Sequence, residues 1–196
     1  VSTGGDAAGD TLISIENLIG SDEDDQLTGD DADNRLVGRR GDDILIGGAG
    51  NDILEGGRGA DQLIGGDGID TADYSGSNVA VTINMIDSLA SGGEAAGDTF
   101  SGIEIVQGSG QDDTIIGDAA DNILRGGRGA DVLDGGAGFD TADYSTADEA
   151  VSVNLATGLG TAGEASGDVL SNIEMVIGSS GDDTFIGSDN ADVFDG

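Results

Sequence analysis

The chain has 196 residues, 38 of them glycine against the ~7% of ordinary proteins, and carries a net charge of −34 with a pI near 4.1. Nucleic acid and anionic membrane are therefore poor partners, and self-repulsion has to be offset before such a chain can fold. Histidine, cysteine, tryptophan and proline are all absent, which excludes disulfides, zinc sites built on His or Cys, and every His-dependent catalytic triad.

In chain order, residues 1 to 19 show neither a cationic start followed by an apolar leader nor an apolar run near the ~18 residues of a membrane span. They run into GDTLISIENLIGS at 9 to 21, a text that recurs twice further on. From Gly20 the period is nine: GSDEDDQLT, GDDADNRLV, GRRGDDILI, GGAGNDILE, GGRGADQLI and GGDGIDTAD fill residues 20 to 73 without a gap. A spacer of 34 residues follows at 74 to 107, opening YSGSNVAVTINM and closing GDTFSGIEIVQ before the next array. The second array, 108 to 143, reads GSGQDDTII, GDAADNILR, GGRGADVLD and GGAGFDTAD. A second spacer of 34 residues at 144 to 177 opens YSTADEAVSVNL, and GSSGDDTFI and GSDNADVFD make a third array at 178 to 195. We expect three units, 1–73, 74–143 and 144–196, joined in one continuous solenoid. The start inside spacer text and the stop at Gly196, where another repeat would open, lead us to expect a piece of a longer repetitive protein.

Within a repeat, positions 1, 2 and 4 favour glycine, position 6 is Asp or Asn, and position 8 is apolar. Glycines with positive φ let six residues wrap into a tight turn whose carbonyls point inward. The last three residues alternate outward, inward, outward, as a very short strand with one buried side chain does. Two repeats then make one coil, and stacking sets each repeat beside the next but one. Neighbouring position-6 carboxylates face one gap there, together with turn carbonyls that need partners. A hard cation taking about 6 to 8 oxygens at roughly 2.3 to 2.6 Å fits, calcium better than the reluctantly dehydrated magnesium.

The candidate metal ligands are Asp25, Asn34, Asp43, Asp52, Asp61, Asp70, Asp113, Asn122, Asp131, Asp140, Asp183 and Asp192, with the carbonyls of Gly48, Gly50, Gly57, Gly59, Gly66, Gly68, Gly127, Gly129, Gly136 and Gly138. Pairing each repeat with the next but one gives about six Ca2+ ions within the arrays: Asp25 with Asp43, Asn34 with Asp52, Asp43 with Asp61, Asp52 with Asp70, Asp113 with Asp131, and Asn122 with Asp140. The third array completes no site between its own repeats, although a spacer coil can complete one, and its carboxyl end is expected to be less ordered. Repeats that depart from the pattern, GSDEDD at 20 to 25 and GRRGDD at 38 to 43, are expected to have strained or metal-poor turns.

These repeats resemble the nonapeptide GGxGxDxUx of RTX (repeats-in-toxin) proteins, most closely at GGAGND (47 to 52), GGRGAD (56 to 61 and 126 to 131), GGDGID (65 to 70) and GGAGFD (135 to 140). The resemblance implies an all-β, right-handed parallel β-roll with calcium ions between stacked turns. It also implies export of the unfolded chain by type I secretion machinery and a secreted, extracellular location. The expected function is a non-enzymatic calcium-binding module that folds on meeting calcium and serves a larger bacterial protein structurally. A surface-recognition module for glycan or ice is the alternative.

The spacers leave two readings open. Their alternating runs, Val79 to Met85 and Val151 to Leu155, predict longer one-sided strands than any repeat supplies. Asp10, Asp98 and Asp168, paired with Glu16, Glu104 and Glu174, either cap turns and face water or hold further calcium. Outward Ile44, Ile46 and Ile64 are scattered surface apolars or a self-association stripe. Arg39, Arg40, Arg58 and Arg128 balance local charge or meet an acidic glycan.

Overall fold

The computed structural model describes residues 15–196, which form short strands in two sheets facing each other across one core. The nine-stranded sheet holds, in spatial order, Asn17–Ile19, Arg35–Arg40, Ile53–Arg58, Thr71–Asp73, Ile105–Gln107, Ile123–Arg125, Thr141–Asp143, Met175–Ile177 and Val193–Asp195. All of its pairs are parallel. Inside an array the register steps by two repeats, so Leu36 lies beside Leu54 and Leu45 beside Leu63. The chain is thus a parallel β-roll, and its coils are those the nine-residue period prescribes.

Position 8 supplies the core because it is the one inward position of each strand. Leu36, Leu45, Leu54, Leu63, Ile115, Leu124 and Leu133 are all fully buried. At roughly 1.5 to 3 kcal/mol per buried side chain this line of single aliphatic groups is thin. Where position 8 shrinks to alanine, at Ala72 and Ala142, a tyrosine two residues later, Tyr74 or Tyr144, is buried in its place.

Both sheets run on through the spacers, but the spacer strands differ from expectation. The run from Val79 gives only a three-residue strand, Thr82–Asn84, and its equivalent is Ser152–Asn154. Val81 is buried in the place of a position-6 residue, its N–H donating to Asp113 Oδ1 at 2.7 Å, and the chain turns again from Met85. It comes back antiparallel as Leu89–Ser91 and then forms Thr99–Ser101, which lies parallel to Gln62–Asp67. Leu159–Ala162 and Val169–Ser171 repeat this meander in the second spacer. The twelve-stranded sheet is therefore parallel in the arrays and mixed in the spacers.

At the carboxyl end the strands Thr184–Ile186 and Val193–Asp195 form and pair. What changes there is burial: Phe194 is 37% exposed and its ring stacks on that of Phe185 with centroids 5.2 Å apart. Ile44 is exposed, while Ile46 and Ile64 sit half-buried side by side on the outer face. No helix among the described residues is long and apolar enough to cross a membrane.

Candidate metal centres

The turns form two rows along the roll. Turns 20–25, 38–43, 56–61, 108–113, 126–131 and 178–183 lead into the twelve-stranded sheet and make the first row. Turns 29–34, 47–52, 65–70, 117–122, 135–140 and 187–192 lead into the nine-stranded sheet and make the second.

Position 6 ties each row together. One carboxylate oxygen accepts the backbone N–H of the position-6 residue one coil earlier: Asp25 donates to Asp43 Oδ1 (2.7 Å), Asp43 to Asp61 (2.8 Å) and Asp113 to Asp131 (2.8 Å) in the first row. In the second row Asn34 donates to Asp52 (2.7 Å), Asp52 to Asp70 (2.8 Å) and Asn122 to Asp140 (2.8 Å). A second ladder on the exposed side runs the other way through position 5, where Asp42 N–H donates to Asp24, Asn51 to Asp33, Ala60 to Asp42 and Ala130 to Asp112.

The second oxygen of these carboxylates carries the chemistry. Oδ2 of Asp43, Asp52, Asp61, Asp70, Asp131 and Asp140 is buried without a hydrogen-bond partner, although these residues are at most 1% exposed. A buried, unpaired anionic oxygen is costly, and its site ordinarily answers with a proton or a cation. Burial pushes Asp131 up to about 7 and Asp61 and Asp140 up to about 6, with neighbouring carboxylates adding to the rise. Asp43, Asp52, Asp70 and Asp113 are raised from the usual range by the same burial.

The first glycine of each turn explains what this oxygen faces. A Cβ at Gly38 would overlap both Asp43 Oδ2 and the Gly56 carbonyl oxygen of the next coil, and at Gly47 it would overlap Asp52 Oδ2 and the Gly65 carbonyl. The same convergence of a position-6 oxygen and a next-coil carbonyl recurs at Gly20, Gly29, Gly108 and Gly117. Among the described residues no cluster of three or more Asp, Glu, His or Cys side chains forms, so carbonyls have to supply much of any coordination sphere. Carboxylate and carbonyl oxygens with no nitrogen or sulfur suit calcium and disfavour zinc or copper. The donor set fits the ion.

The structure brings together each of the six pairs read from the sequence, from Asp25 with Asp43 to Asn122 with Asp140. Asp183 and Asp192 have no second turn against them among the described residues: Asp183 accepts from Val151 N–H, and Asp192 from Ser188. Sequence reading chose the carbonyls of the second and fourth glycines and passed over those of the first, Gly38, Gly47, Gly56, Gly65, Gly126 and Gly135, which lie beside the carboxylates. The second and fourth glycines meet the coil beneath, as when a Cβ at Gly59 or Gly68 would overlap the carbonyl of Gly41 or Gly50.

The irregular turns divide. Turn 38–43 holds Arg39 at φ 86, the left-handed region that glycine occupies elsewhere, so its expected strain is present. Turn 20–25 relaxes differently, because Ser21 donates its N–H (2.6 Å) and hydroxyl (2.8 Å) to Asp25 Oδ2. Ser109 donates its N–H to Asp113 Oδ2 and its hydroxyl to Asp113 Oδ1, and the N–H groups of Asp30 and Asp118 serve Asn34 and Asn122.

Asp98 and Asp168 do not face water; both are fully buried, and they occupy the position-6 place of the spacer coils. Their Oδ1 atoms accept the N–H groups of Asp61 (2.9 Å) and Asp131 (2.8 Å). Glu104 and Glu174 do likewise for Asp70 and Asp140, each at 2.9 Å. Asp10 lies outside the described residues. The turn arginines Arg40, Arg58 and Arg128 meet Asp22 (3.2 Å), Glu94 (3.9 Å) and Asp148 (3.1 Å), local partners for three of the few cations in the chain.

Residues 13–45, 37–72, 98–133, 107–142 and 171–196 match the sequence profile of the RTX calcium-binding nonapeptide repeat, well over half of the chain. The chain belongs to that family and is a calcium-binding repeat module. No curated protein matches it.

Proposed function

We propose that the module is a calcium-triggered structural element of a larger exported bacterial protein, itself without catalysis. The observation that carries this reading is the double row of buried position-6 oxygens with no internal partner. Bound at those places, calcium supplies positive charge shared between coils.

The chain's own residues set the rest. Each sheet contributes one file of inward side chains, and ordering costs about 1 to 2 kcal/mol per residue of backbone, so the thin core needs the added cohesion. Forty acidic side chains against six arginines oppose compaction until they are neutralised. Extracellular calcium sites typically bind near 10⁻⁴ to 10⁻³ M, so at cytosolic calcium the chain stays expanded and exportable, and it folds outside the cell. Family kinship supports passage through type I secretion machinery. Units 1–73, 74–143 and 144–196 make a single solenoid in this reading.

Far-UV circular dichroism and small-angle scattering during a calcium titration test the proposal. Expansion in chelator, cooperative gain of β signal with compaction near millimolar calcium, and little response to equal magnesium are expected. A full β spectrum and compact dimensions in excess chelator would falsify it.

A further inference from the structure

The two turn rows behave differently where an array meets a spacer. In the second row, turn 65–70 is followed by the short spacer turn 102–104. A Cβ at Gly65 would stand 2.5 Å from Asp70 Oδ2 and would overlap the Gly102 carbonyl oxygen. This is the convergence seen inside the arrays, with Gly102 in place of a repeat's first glycine. The next junction repeats it: at Gly135 a Cβ would stand 2.7 Å from Asp140 Oδ2 and overlap the Asn172 carbonyl. Asp70 and Asp140 are fully buried, and neither Oδ2 has a hydrogen-bond partner. Each site gains a second carboxylate from a glutamate, Glu104 or Glu174, which also accepts the Asp70 or Asp140 N–H.

The facing junctions in the first row share the unpartnered oxygen, on Asp61 and Asp131, but differ in what surrounds it. Around a Cβ at Gly56 or Gly126 the three nearest atoms all belong to Asp61 or Asp131, with no next-coil carbonyl among them. The spacer carboxylates are satisfied there at both oxygens. Besides the Asp61 and Asp131 N–H groups, Asp98 Oδ2 accepts from the Tyr74 hydroxyl at 3.2 Å and Asp168 Oδ2 from the Tyr144 hydroxyl at 2.8 Å. Both tyrosines are at most 3% exposed.

We propose two calcium sites beyond those of the tandem repeats, one formed by Asp70, Glu104 and the Gly102 carbonyl and one by Asp140, Glu174 and the Asn172 carbonyl. The first row takes no ion at its facing junctions, where the tyrosine hydroxyls hold Asp98 and Asp168 instead. The second row thereby extends by one site into each spacer while the first stops at its array, and the inference rests on the calcium reading of the arrays.

Crystals of the whole chain grown in excess calcium, with anomalous difference maps collected at long wavelength, test it. Peaks are expected in the array cradles and at both second-row junctions, with none between Asp61 and Asp98 or between Asp131 and Asp168. Peaks confined to the arrays would overturn the junction sites and leave the calcium module intact; a peak at a first-row junction would overturn the tyrosine substitution. No peak anywhere would remove the calcium reading itself. Equilibrium dialysis of the Glu104→Gln/Glu174→Gln chain, at calcium that saturates the arrays, is expected to find two fewer ions than the parent. An unchanged count would contradict the glutamates' role.

Discussion

The opening turns of each array and the turns stacked on them solve one problem in two ways. Among the described residues no repeat turn lies beneath turns 20–25 and 108–113, and Ser21 and Ser109 bond their own carboxylates. Turns 56–61 and 126–131 rest on another turn. Their glycines at φ 97 and 94 clear the carbonyls of Arg39 and Ser109 below, and the carboxylate oxygen that serine would have satisfied has no internal partner. Glycine content therefore marks stacking, and stacking leaves a buried oxygen that takes a cation or a proton.

The largest break in this comparison is steric. Gly129 stands at φ 137, and a Cβ there would lie 2.5 Å from the Gln111 carbonyl oxygen, whereas at Gly110 in the opening turn nothing lies within 4 Å. Gly129→Ala is expected to cost roughly 3 kcal/mol in the calcium-loaded chain, from backbone strain and displacement of the turn below. Gly110→Ala should stay within about 0.5 kcal/mol. Denaturant melts of the two variants in saturating calcium measure the gap.

Removing a stacked carboxylate comes next. Asp131→Ala takes away a candidate ligand and strands the Asp113 N–H, a loss of roughly 1 to 3 kcal/mol. The calcium midpoint should rise about tenfold or more. Asp112→Ala, which removes only an exposed acceptor for Ala130 N–H, should shift the same titration far less.

Burial raises the pKa of the stacked carboxylates. Asp98 and Asp131 stand at about 7 and Asp61, Asp140 and Asp168 at about 6, chiefly because burial penalises the charged form. The folded chain thus binds more protons than the unfolded chain, whose carboxyls keep values near 4. Their contribution is full below about pH 4 and is lost as pH rises through 6 to 7. In chelator, β structure should grow as pH falls from 8 to 5; calcium binding at pH 7 should release protons, measurable by calorimetry in buffers of different ionisation enthalpy.

The smallest effect is a gain. Arg39 has a left-handed backbone at a place where equivalent repeats use glycine, and it joins no ion pair among the described residues. Arg39→Gly should raise stability by up to about 1 kcal/mol, read as a higher Tm in calcium.

The repeat period made the coil, the core line and the six array pairs legible, because each follows from a local spacing of nine. Asp98 and Glu104 were partly legible too: DTFS at 98 to 101 and EIVQ at 104 to 107 copy positions 6 to 9 of a repeat, as DTII does at 113 to 116. The burial of Asp98 was not, since its second oxygen is met by Tyr74, distant in sequence and brought close by the meander. Val81 shows the limit from the other side. Its alternating neighbours read as a long strand, but Val81 takes a position-6 place, its N–H donating to Asp113, and the strand begins only at Thr82.

Residue-level hydrogen exchange with and without calcium tests the central claim most directly. The N–H groups of Asp43, Asp52, Asp61 and Asp113, each bonded to the next coil's carboxylate, should be strongly protected in calcium and exchange freely in chelator at pH 7. Equal protection in both conditions would mean that the coils cohere without a cation, and the account would fail.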